Sequence, residues 1–237
     1  MKASHNEAVW IEDAKKRAAV AAVKHVKDGY VVGLGSGTTA SHAIKEIGRT
    51  VRQKQWSILG VPTSYQAFLL ATEVNIPTTT LNEHPKLDLA IDGVDQVDPD
   101  LNMIKGMGGA LTREKIVASA SKQNIIIADE TKLVKKLGTN HPVPIEVLPF
   151  ALGSVILKTE RLGVKPVLRT GTAKVGPTVT DNGNFILDLW GKPIDYPKKL
   201  DAELRSIPGV VETGLFLEIA NIVYAGRKTS VEKIQRK

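Results

Sequence analysis

Apolar and polar positions follow two alternating patterns along the first part of the chain. Short apolar runs are typical of strands, and the segments between them have the spacing and cap residues of helices. The predicted strands are YVVGLG, SILGVP, LDLAID and NIIIAD. The predicted helices are EDAKKRAAVAAVKHVKDG, ending at Gly29, then TTASHAIKEIGRTV, SYQAFLLATEVN with Ser64 as N-cap, and LTREKIVASAS. Because strands alternate with helices and two runs are almost wholly apolar, the pattern predicts an α/β fold with a doubly wound, mostly parallel, Rossmann-like sheet.

The pattern changes near HPVPIEVLPF, where three prolines predict a domain boundary or an edge strand. A helix pattern follows in ALGSVILKTERLG, and strand patterns follow in KPVLRT, TVTDNG and NFILDLW, with Asn-Gly as a turn signal. These elements predict a smaller α+β domain over residues 141–208. The closing segment GVVETGLFLEIANIVYAG again has buried-strand character, and we expect it to return to the first sheet. The Rossmann-like domain would then be discontinuous, with residues 1–140 plus 209–237.

Composition narrows the class of protein. Hydrophobic residues make up 42% of the chain and charged residues 24%, as in ordinary globular proteins, and no apolar run reaches the length of a membrane span. The absence of cysteine excludes disulfides, thiolate metal sites and cysteine nucleophiles. Since the first residues also have no apolar signal core, we expect a cytoplasmic protein without a membrane partner.

The chain is basic, with a formal net charge of +7. Nucleic-acid binding is one reading of such a charge, but aromatic residues make up only 5% of the chain and no basic-aromatic stripe is present. A preference for anionic ligands, or simply an excess of lysine, is therefore the better interpretation, and no nucleic-acid partner is expected. The basic C-terminal segment RKTSVEKIQRK is interpreted as a solvated tail.

The segment YVVGLGSGTTAS places a glycine-rich turn between a strand and a helix. Backbone N–H groups and hydroxyls at such a turn can hold a phosphate at the positive end of the helix. The spacing Gly33-x-Gly35-x-x-Thr38 lacks the third glycine of a dinucleotide fingerprint, and no acidic residue ends the next strand. A small phosphorylated ligand therefore fits better than a dinucleotide, although a tight, well-capped turn would give the same pattern. The candidate residues are Ser36, Gly37, Thr38 and Thr39.

Two aspartates follow the predicted strand LDLAID. Asp92 ends the strand and Asp95 lies just beyond it, at the strand end where open α/β sheets bind ligands. Two carboxylates there could hydrogen-bond sugar hydroxyls or move protons, and clustered aspartates could instead bind a hard cation. A self-stabilising Asx turn accounts for Asp98 and Asp100 but not for Asp92.

The segment IKGMGGALTREK combines a lysine, three glycines and a glutamate at a helix start. Thr112 either caps this helix or lies in its first turn, and in both cases Glu114 is near the positive helix end. The glycines would let backbone N–H groups approach a ligand and bring Lys105 and Glu114 to one site. A lysine that polarises an oxygen beside a carboxylate that takes a proton from carbon can isomerise a sugar phosphate. The alternatives are a surface ion pair or a flexible loop, and Arg113 and Lys115 are interpreted as surface residues.

Other candidates carry weaker signals. Asp129 ends the strand NIIIAD and Lys132 follows it, where a lysine could hold a phosphate or a substrate oxygen. The five histidines have no metal-binding spacing and are interpreted as structural or exposed: His5, His25, His42, His84 and His141. No metal site is predicted, and no Gly-x-Ser-x-Gly elbow indicates a serine hydrolase.

Together, GLGSGTTA, AIDGVDQVD, KGMGGALTREK and IADETKL resemble ribose-5-phosphate isomerase of the A type, in that family's order and at similar intervals. PVPIEVLPF and GVVETGLF also match, so the resemblance runs from about Ala14 to Gly226. It implies interconversion of D-ribose 5-phosphate and D-ribulose 5-phosphate through an ene-diolate, in the non-oxidative pentose phosphate pathway. It also implies a homodimer or homotetramer with no metal and no organic cofactor. Outside the matched motifs, Lys15 and Lys16 are candidates to approach the substrate phosphate.

The resemblance assigns roles to individual residues. It implies that Glu114 is the general base, that Lys105 stabilises the negative intermediate, and that Asp92 and Asp95 line the sugar site. In the reaction that we expect, Asp92 or Asp95 could assist the opening of the sugar ring. The substrate-binding residues that it implies are Ser36, Gly37, Thr38, Thr39, Asp92, Gly93, Val94, Asp95, Lys105, Gly106, Met107, Gly108 and Lys132.

Two rival functions remain open at this point. A sugar-phosphate-sensing domain of a transcription regulator predicts a helix-turn-helix segment, which the sequence lacks, and gives no reason for pairing Lys105 with Glu114. Another sugar-phosphate enzyme on a similar sheet, such as a deaminase or a lactonase, would be expected to use a histidine, and none lies in the four motifs.

Overall fold

The structure is a computed structural model that describes residues 5–171 and 175–236. The chain forms two compact units. The first contains the chain up to Val94, Arg113–Leu133 and the chain from Ile219 onward, and the second contains Asp95–Thr112 and Val134–Glu218. The domain boundaries expected from the sequence stay a prediction. They differ from these units at residues 95–112, 134–140 and 209–218, which the prediction places in the larger domain and which belong to the second unit.

Helices and strands alternate in the first half of the chain, whereas short strands dominate the second half. The helices are α1 His5–Val23, α2 Gly37–Lys54, α3 Tyr65–Glu73, α4 Leu111–Ser119, α5 Leu152–Glu160 and α6 Pro197–Arg205. The strands are β1 Val31–Leu34, β2 Leu59–Pro62, β3 Leu89–Gly93, β4 Gln96–Val97, β5 Met103–Ile104, β6 Asn124–Asp129, β7 Val143–Val147, β8 Lys165–Leu168, β9 Phe185–Trp190, β10 Val210–Thr213, β11 Leu215–Phe216, β12 Ile222–Gly226 and β13 Val231–Gln235. No helix in residues 5–171 and 175–236 is long and apolar enough to cross a membrane.

The first unit is built on a six-stranded sheet in the order β13-β12-β6-β3-β1-β2. All neighbouring strands are parallel except β13, which pairs antiparallel with β12. Every residue of β3 and β6 is buried, as expected for apolar strands covered on both faces. The α/β prediction with a doubly wound, mostly parallel sheet is confirmed, and parallel pairing brings the carboxyl ends of β1, β3 and β6 to one edge.

The second unit contains two antiparallel sheets, in the orders β10-β7-β9-β8 and β11-β5-β4. Its core joins apolar residues of β7 and β9 to those of α5 and α6, including Ile145, Leu187, Val155 and Leu204. The smaller β11-β5-β4 sheet ends directly before Lys105, because Ile104 is paired with Leu215.

Three details of the predicted elements are wrong. The first helix ends at Val23 rather than Gly29, because the chain tightens into i→i−3 hydrogen bonds that end the α-helical pattern. TVTDNG forms one isolated bridge, Val179 with Phe185, and a turn rather than a strand; the predicted Asn-Gly turn is present, with Gly183 at φ +80°. The basic segment interpreted as a solvated tail contains β13, which hydrogen-bonds along β12.

The strand that carries Pro144 is interior, not an edge strand. β7 pairs with β9 on one side and with β10 on the other. The carbonyl of Pro144 accepts a 2.6 Å hydrogen bond from the N–H of Gly214, just past the end of β10. The N–H and C=O of one strand residue point to the same neighbouring strand, so an N–H at position 144 would point past the end of β10. Proline, which has no N–H, therefore costs no β10–β7 hydrogen bond at this position.

Candidate active site

The carboxyl ends of β1 and β3 fix Asp92 against the glycine-rich turn. The N–H of Gly35 donates to the carbonyl of Ile91 at 3.0 Å. Oδ1 of Asp92 accepts hydrogen bonds from the N–H groups of Ser36 at 3.1 Å and Gly93 at 2.7 Å. A Cβ atom at Gly35 would lie 2.2 Å from that oxygen, so only glycine permits this approach. Asp92 is buried and is held in one orientation by the turn that precedes α2.

The start of α2 has the features of an anion site. Ser36 is the N-cap residue, but its hydroxyl does not cap the helix and instead bonds the hydroxyls of Thr63 at 2.7 Å and Ser64 at 2.5 Å. Nζ of Lys15 approaches Oγ1 of Thr38 at 3.3 Å. A lysine ammonium thus joins the positive end of the helix dipole.

Lys15 and Lys16 have different surroundings, which separates the two N-terminal candidates. Lys15 is 13% exposed and donates to Glu12 at 2.6 Å, and this bond is the main reason why the pKa of Glu12 lies below its usual value. Lys16 is 58% exposed and lies 3.7 Å from Asp13. Of the two, it is Lys15 that is positioned at the start of α2.

Lys132 follows the third strand of this edge. Asp129 ends β6 almost fully buried and caps a 3-10 turn, Glu130–Lys132, by accepting the N–H of Thr131 at 3.0 Å. Because β6 is the parallel neighbour of β3, this turn leaves the sheet at the same edge as Asp92. The structure therefore brings the Ser36 turn, Asp92 and the Lys132 turn to successive strand ends of one sheet.

Glu114 lies in the first turn of α4 and is 5% exposed. The helix packs closely on β1, since a Cβ atom at Gly33 would lie 2.5 Å from Cγ1 of Val117. The interpretation of Lys115 as a surface residue is wrong: it is 7% exposed, because most of this short helix is buried. Arg113 is half-buried, with its guanidinium 5.4 Å from the ring centroid of Tyr65.

In the second unit, Lys105 lies at the end of β5 and is 3% exposed. Its N–H donates to the carbonyl of Gly214 at 2.9 Å, and its Nζ lies 5.4 Å from the centroid of the Phe216 ring. A cation over an aromatic face is stabilised by the ring quadrupole. Backbone and side chain are therefore both held by the β11 segment.

Asp95 supports the glycine turn that follows Lys105. The N–H of Asp95 donates to the carbonyl of Ile104 at 3.0 Å, and its Oδ2 accepts the N–H of Met107 at 3.0 Å. Gly106 has φ +111°, and the N–H of Gly109 closes the turn on the Gly106 carbonyl at 2.9 Å. The turn is thus a hydrogen-bonded structure rather than a flexible loop.

Sequence reasoning missed two charged groups that contact this segment. Arg169 donates to the carbonyls of Gly106 and Met107, and Glu146 accepts the hydroxyl of Thr112 at 2.5 Å. Glu146 is completely buried and also accepts hydrogen bonds from Thr180, Asn182 and Asn184. The available signal was a charged residue within the apolar strand pattern VPIEV, but its partners are distant in sequence.

The remaining candidates are placed as follows. Asp98 forms the expected Asx turn by accepting the N–H groups of Asp100 and Asn102. Val94 and Gly93 are buried, Thr39 is half-buried, and Met107 and Gly108 are exposed. Four histidines form structural hydrogen-bond pairs: His25 with Tyr224, His42 with Glu12, His84 with Thr79, and His141 with the Pro142 carbonyl. The side chain of His5 lies outside the described residues.

Comparison with known proteins places the chain in one family. The family model described as ribose 5-phosphate isomerase A (phosphoriboisomerase A) matches residues 59–230. The chain is 51% identical to ribose-5-phosphate isomerase A of Methanothermobacter thermautotrophicus over 212 residues, which cover 90% of this chain and 93% of the relative.

Solved structures give the same result for the fold. The structure of ribose 5-phosphate isomerase A from Methanocaldococcus jannaschii superposes with a TM-score of 0.91 at 43% identity, covering 94% of this chain and 99% of that one. A D-ribose-5-phosphate isomerase in complex with phospho-erythronic acid superposes with a TM-score of 0.93 at 46% identity, covering 95% and 99% of the two chains.

Proposed function

The chain belongs to the ribose 5-phosphate isomerase A family, and we propose that Glu114 is the base with which it interconverts D-ribose 5-phosphate and D-ribulose 5-phosphate. This reaction is part of the pentose phosphate pathway. The observation that supports the role of Glu114 most directly is its burial in the first turn of α4. In the sequence it follows Lys105, which is also buried. Burial keeps water from a carboxylate that must exchange a proton with carbon.

The phosphate is assigned to the start of α2. The N–H of Gly37 already donates to Oε1 of Gln66 at 2.8 Å. The N–H groups of Thr38 and Thr39, the hydroxyl of Thr38 and the ammonium of Lys15 together favour a dianionic group there. This assignment orients the substrate, because the reacting carbons of an open-chain pentose lie at the opposite end from its phosphate.

The proton transfer proceeds through an ene-diolate. After Asp92 or Asp95 assists ring opening, Glu114 removes the C2 proton of the aldose, the electron pair forms the C1–C2 double bond, and the charge moves to O1. Lys105 and backbone N–H groups of the glycine turn stabilise that oxygen. The protonated Glu114 then returns the proton to C1 while the O2 proton passes to O1, which leaves a ketone at C2 and a hydroxyl at C1. One base serves both carbons because they are adjacent.

The decisive experiment measures ribulose 5-phosphate formation from ribose 5-phosphate in EDTA. Wild type, Glu114→Gln and the control Glu160→Gln, which alters an exposed carboxylate at the end of α5, are compared. We expect activity in wild type and control, and a loss of about a hundredfold or more in folded Glu114→Gln. A Glu114→Gln variant as active as the control would remove Glu114 from the role of base.

A homodimer or homotetramer stays a prediction for the assembly, and the cytoplasm stays a prediction for the compartment. Light scattering behind a sizing column gives the assembly directly, because the chain mass is 25.6 kDa. A monomer that is fully active would refute the oligomer prediction.

A further inference from the structure

Arg169 contacts the carbonyl groups of the glycine turn, residues 106–109. It follows β8, and its backbone is fixed in both directions: its N–H donates to Ile186 at 2.9 Å and its carbonyl accepts from Thr178 at 2.8 Å. Its side chain is only 13% exposed. A long cationic side chain in this position has lost most of its conformational freedom.

Asp188 orients the Arg169 guanidinium. Nε donates to Oδ2 of Asp188 at 2.8 Å, and Nη2 forms a second hydrogen bond to Oδ1. Asp188 is a β9 residue whose register is set by pairing with Val167 of β8 and Pro144 of β7. A two-point pair of this kind fixes the plane of the guanidinium as well as its position.

The remaining face of the guanidinium meets two consecutive peptide groups. Nη1 of Arg169 donates to the carbonyl of Gly106 at 2.8 Å and to the carbonyl of Met107 at 2.9 Å. Those carbonyls belong to the peptide units whose N–H groups are on Met107 and Gly108. In a trans peptide the N–H points away from the C=O, so both N–H groups are directed away from Arg169.

The position of Asp95 shows where one of these N–H groups points. The Met107 N–H donates to Oδ2 of Asp95, at the end of the turn opposite Arg169. A cation bound to a carbonyl also polarises its peptide unit and strengthens the N–H as a donor. Arg169 therefore both directs and strengthens donors on the Asp95 side of the turn.

We propose that Arg169, held by Asp188, is a positioning residue for the isomerisation: it fixes the glycine turn, whose Met107 N–H is anchored on Asp95, so that the N–H group of Gly108 serves the negatively charged oxygen of the intermediate. This inference rests on the proposed role of the turn in stabilising that charge. Arg169 itself does not touch the reacting atoms. Its effect should fall on the intermediate and its transition states rather than on substrate binding.

The test compares Arg169→Lys and Arg169→Ala with Arg205→Ala. Arg205 also pairs with carboxylates in the second unit, Asp201 at 2.8 Å and Glu212 at 2.7 Å, and these partners lie outside the glycine turn. We expect kcat of both Arg169 variants to fall about 10- to 100-fold, with KM changed less than about threefold, and Arg205→Ala to keep the wild-type kcat. Because lysine offers a single donor head and not a planar fork, Arg169→Lys should not restore the rate.

Two further readouts separate positioning from loss of structure. Methylguanidinium should raise kcat of folded Arg169→Ala but not of wild type. Phospho-erythronic acid, whose carboxylate places negative charge where an ene-diolate carries it, should inhibit Arg169→Lys about 10-fold more weakly than wild type while KM stays nearly constant. If Arg169→Ala does not fold, the proposal is tested by the kcat of Arg169→Lys and by the inhibition of that variant by phospho-erythronic acid.

Either of two results overturns the proposal: kcat of Arg169→Lys within about threefold of wild type, or an equal fall of kcat in Arg205→Ala. The outcome is independent of the base assignment. A slow Arg169→Lys together with a fully active Glu114→Gln would refute the role of Glu114 and leave that of Arg169 standing, and the reverse pattern would refute Arg169 alone.

Discussion

Gly35→Ala tests whether the position of Asp92 is set by the close approach of the glycine-rich turn. The added methyl carbon would lie 2.2 Å from Oδ1, 2.4 Å from Cγ and 2.6 Å from Cα of Asp92. Ordinary van der Waals contact begins at 3.4 Å. Two of these three atoms belong to the carboxylate and one to the backbone of β3, so a simple side-chain rotation does not relieve the overlap.

The size of the displacement sets the expected effects. Asp92 or the turn must retreat by about 1.2 Å at the carboxylate oxygen, and a misplacement of about 1 Å at a reacting group can cost roughly a hundredfold in rate. Forcing one extra carbon into a packed site costs about 1–3 kcal/mol of unfolding free energy, which lowers the Tm of a chain of this size by about 2–12 °C. The shift should also weaken the hydrogen bond from the Ser36 N–H to Asp92.

The assay is steady-state isomerisation of ribose 5-phosphate together with a thermal melt. Gly153→Ala is the control, because a Cβ atom at this helical glycine of α5 meets nothing within 4 Å. We expect kcat/KM to fall about a hundredfold in Gly35→Ala and to stay unchanged in Gly153→Ala. A Gly35→Ala variant with wild-type kcat/KM and Tm would show that the contact does not fix Asp92, and the reasoning would be refuted.

Three further predictions follow from other contacts. Lys15→Met should raise KM about 10-fold or more with a smaller change in kcat, because a charge-assisted hydrogen bond to phosphate is lost, whereas Lys16→Met should leave KM unchanged; equal KM values in both variants would contradict the phosphate assignment. Glu146→Gln should lower the unfolding free energy by about 1–3 kcal/mol in urea melts, because Thr112 and the other buried donors lose an acceptor. Burial lowers the pKa of His25, so below about pH 6.5 the unfolded chain binds more protons than the folded chain, and the free energy of unfolding should fall as the pH drops. The fall between about pH 7.5 and 5.5 should be smaller in His25→Gln than in wild type. An identical fall in both proteins would contradict this account.

The sequence predicted the parts of the site that depend on local patterns. Apolar runs located β1, β3 and β6. Parallel pairing then required that the residues at or just beyond their carboxyl ends, Ser36, Asp92 and Lys132, lie at the same end of the sheet. Glycine content located the turn after Lys105. The functional roles of these residues stay predictions, because position alone does not measure catalysis.

The parts that sequence reasoning missed depend on contacts between distant segments. Arg169 reaches carbonyls more than sixty positions earlier, and nothing in KPVLRT indicates that partner. The burial of Lys115 was missed because the sequence pattern predicts that α4 is a helix but does not show how much of that helix is buried. Pro144 is normally a signal of an edge strand, and only the early end of β10 makes an interior position acceptable.

The C-terminal strand β13 also has a consequence for association between chains. β12 is apolar and largely buried, and without a neighbour it would present unpaired backbone groups that can template the addition of a foreign strand. β13 occupies that side and carries the exposed charges of Glu232 and Lys233. The last strand of the sheet therefore acts as a gatekeeper, replacing an aggregation-prone edge with one that repels strand addition.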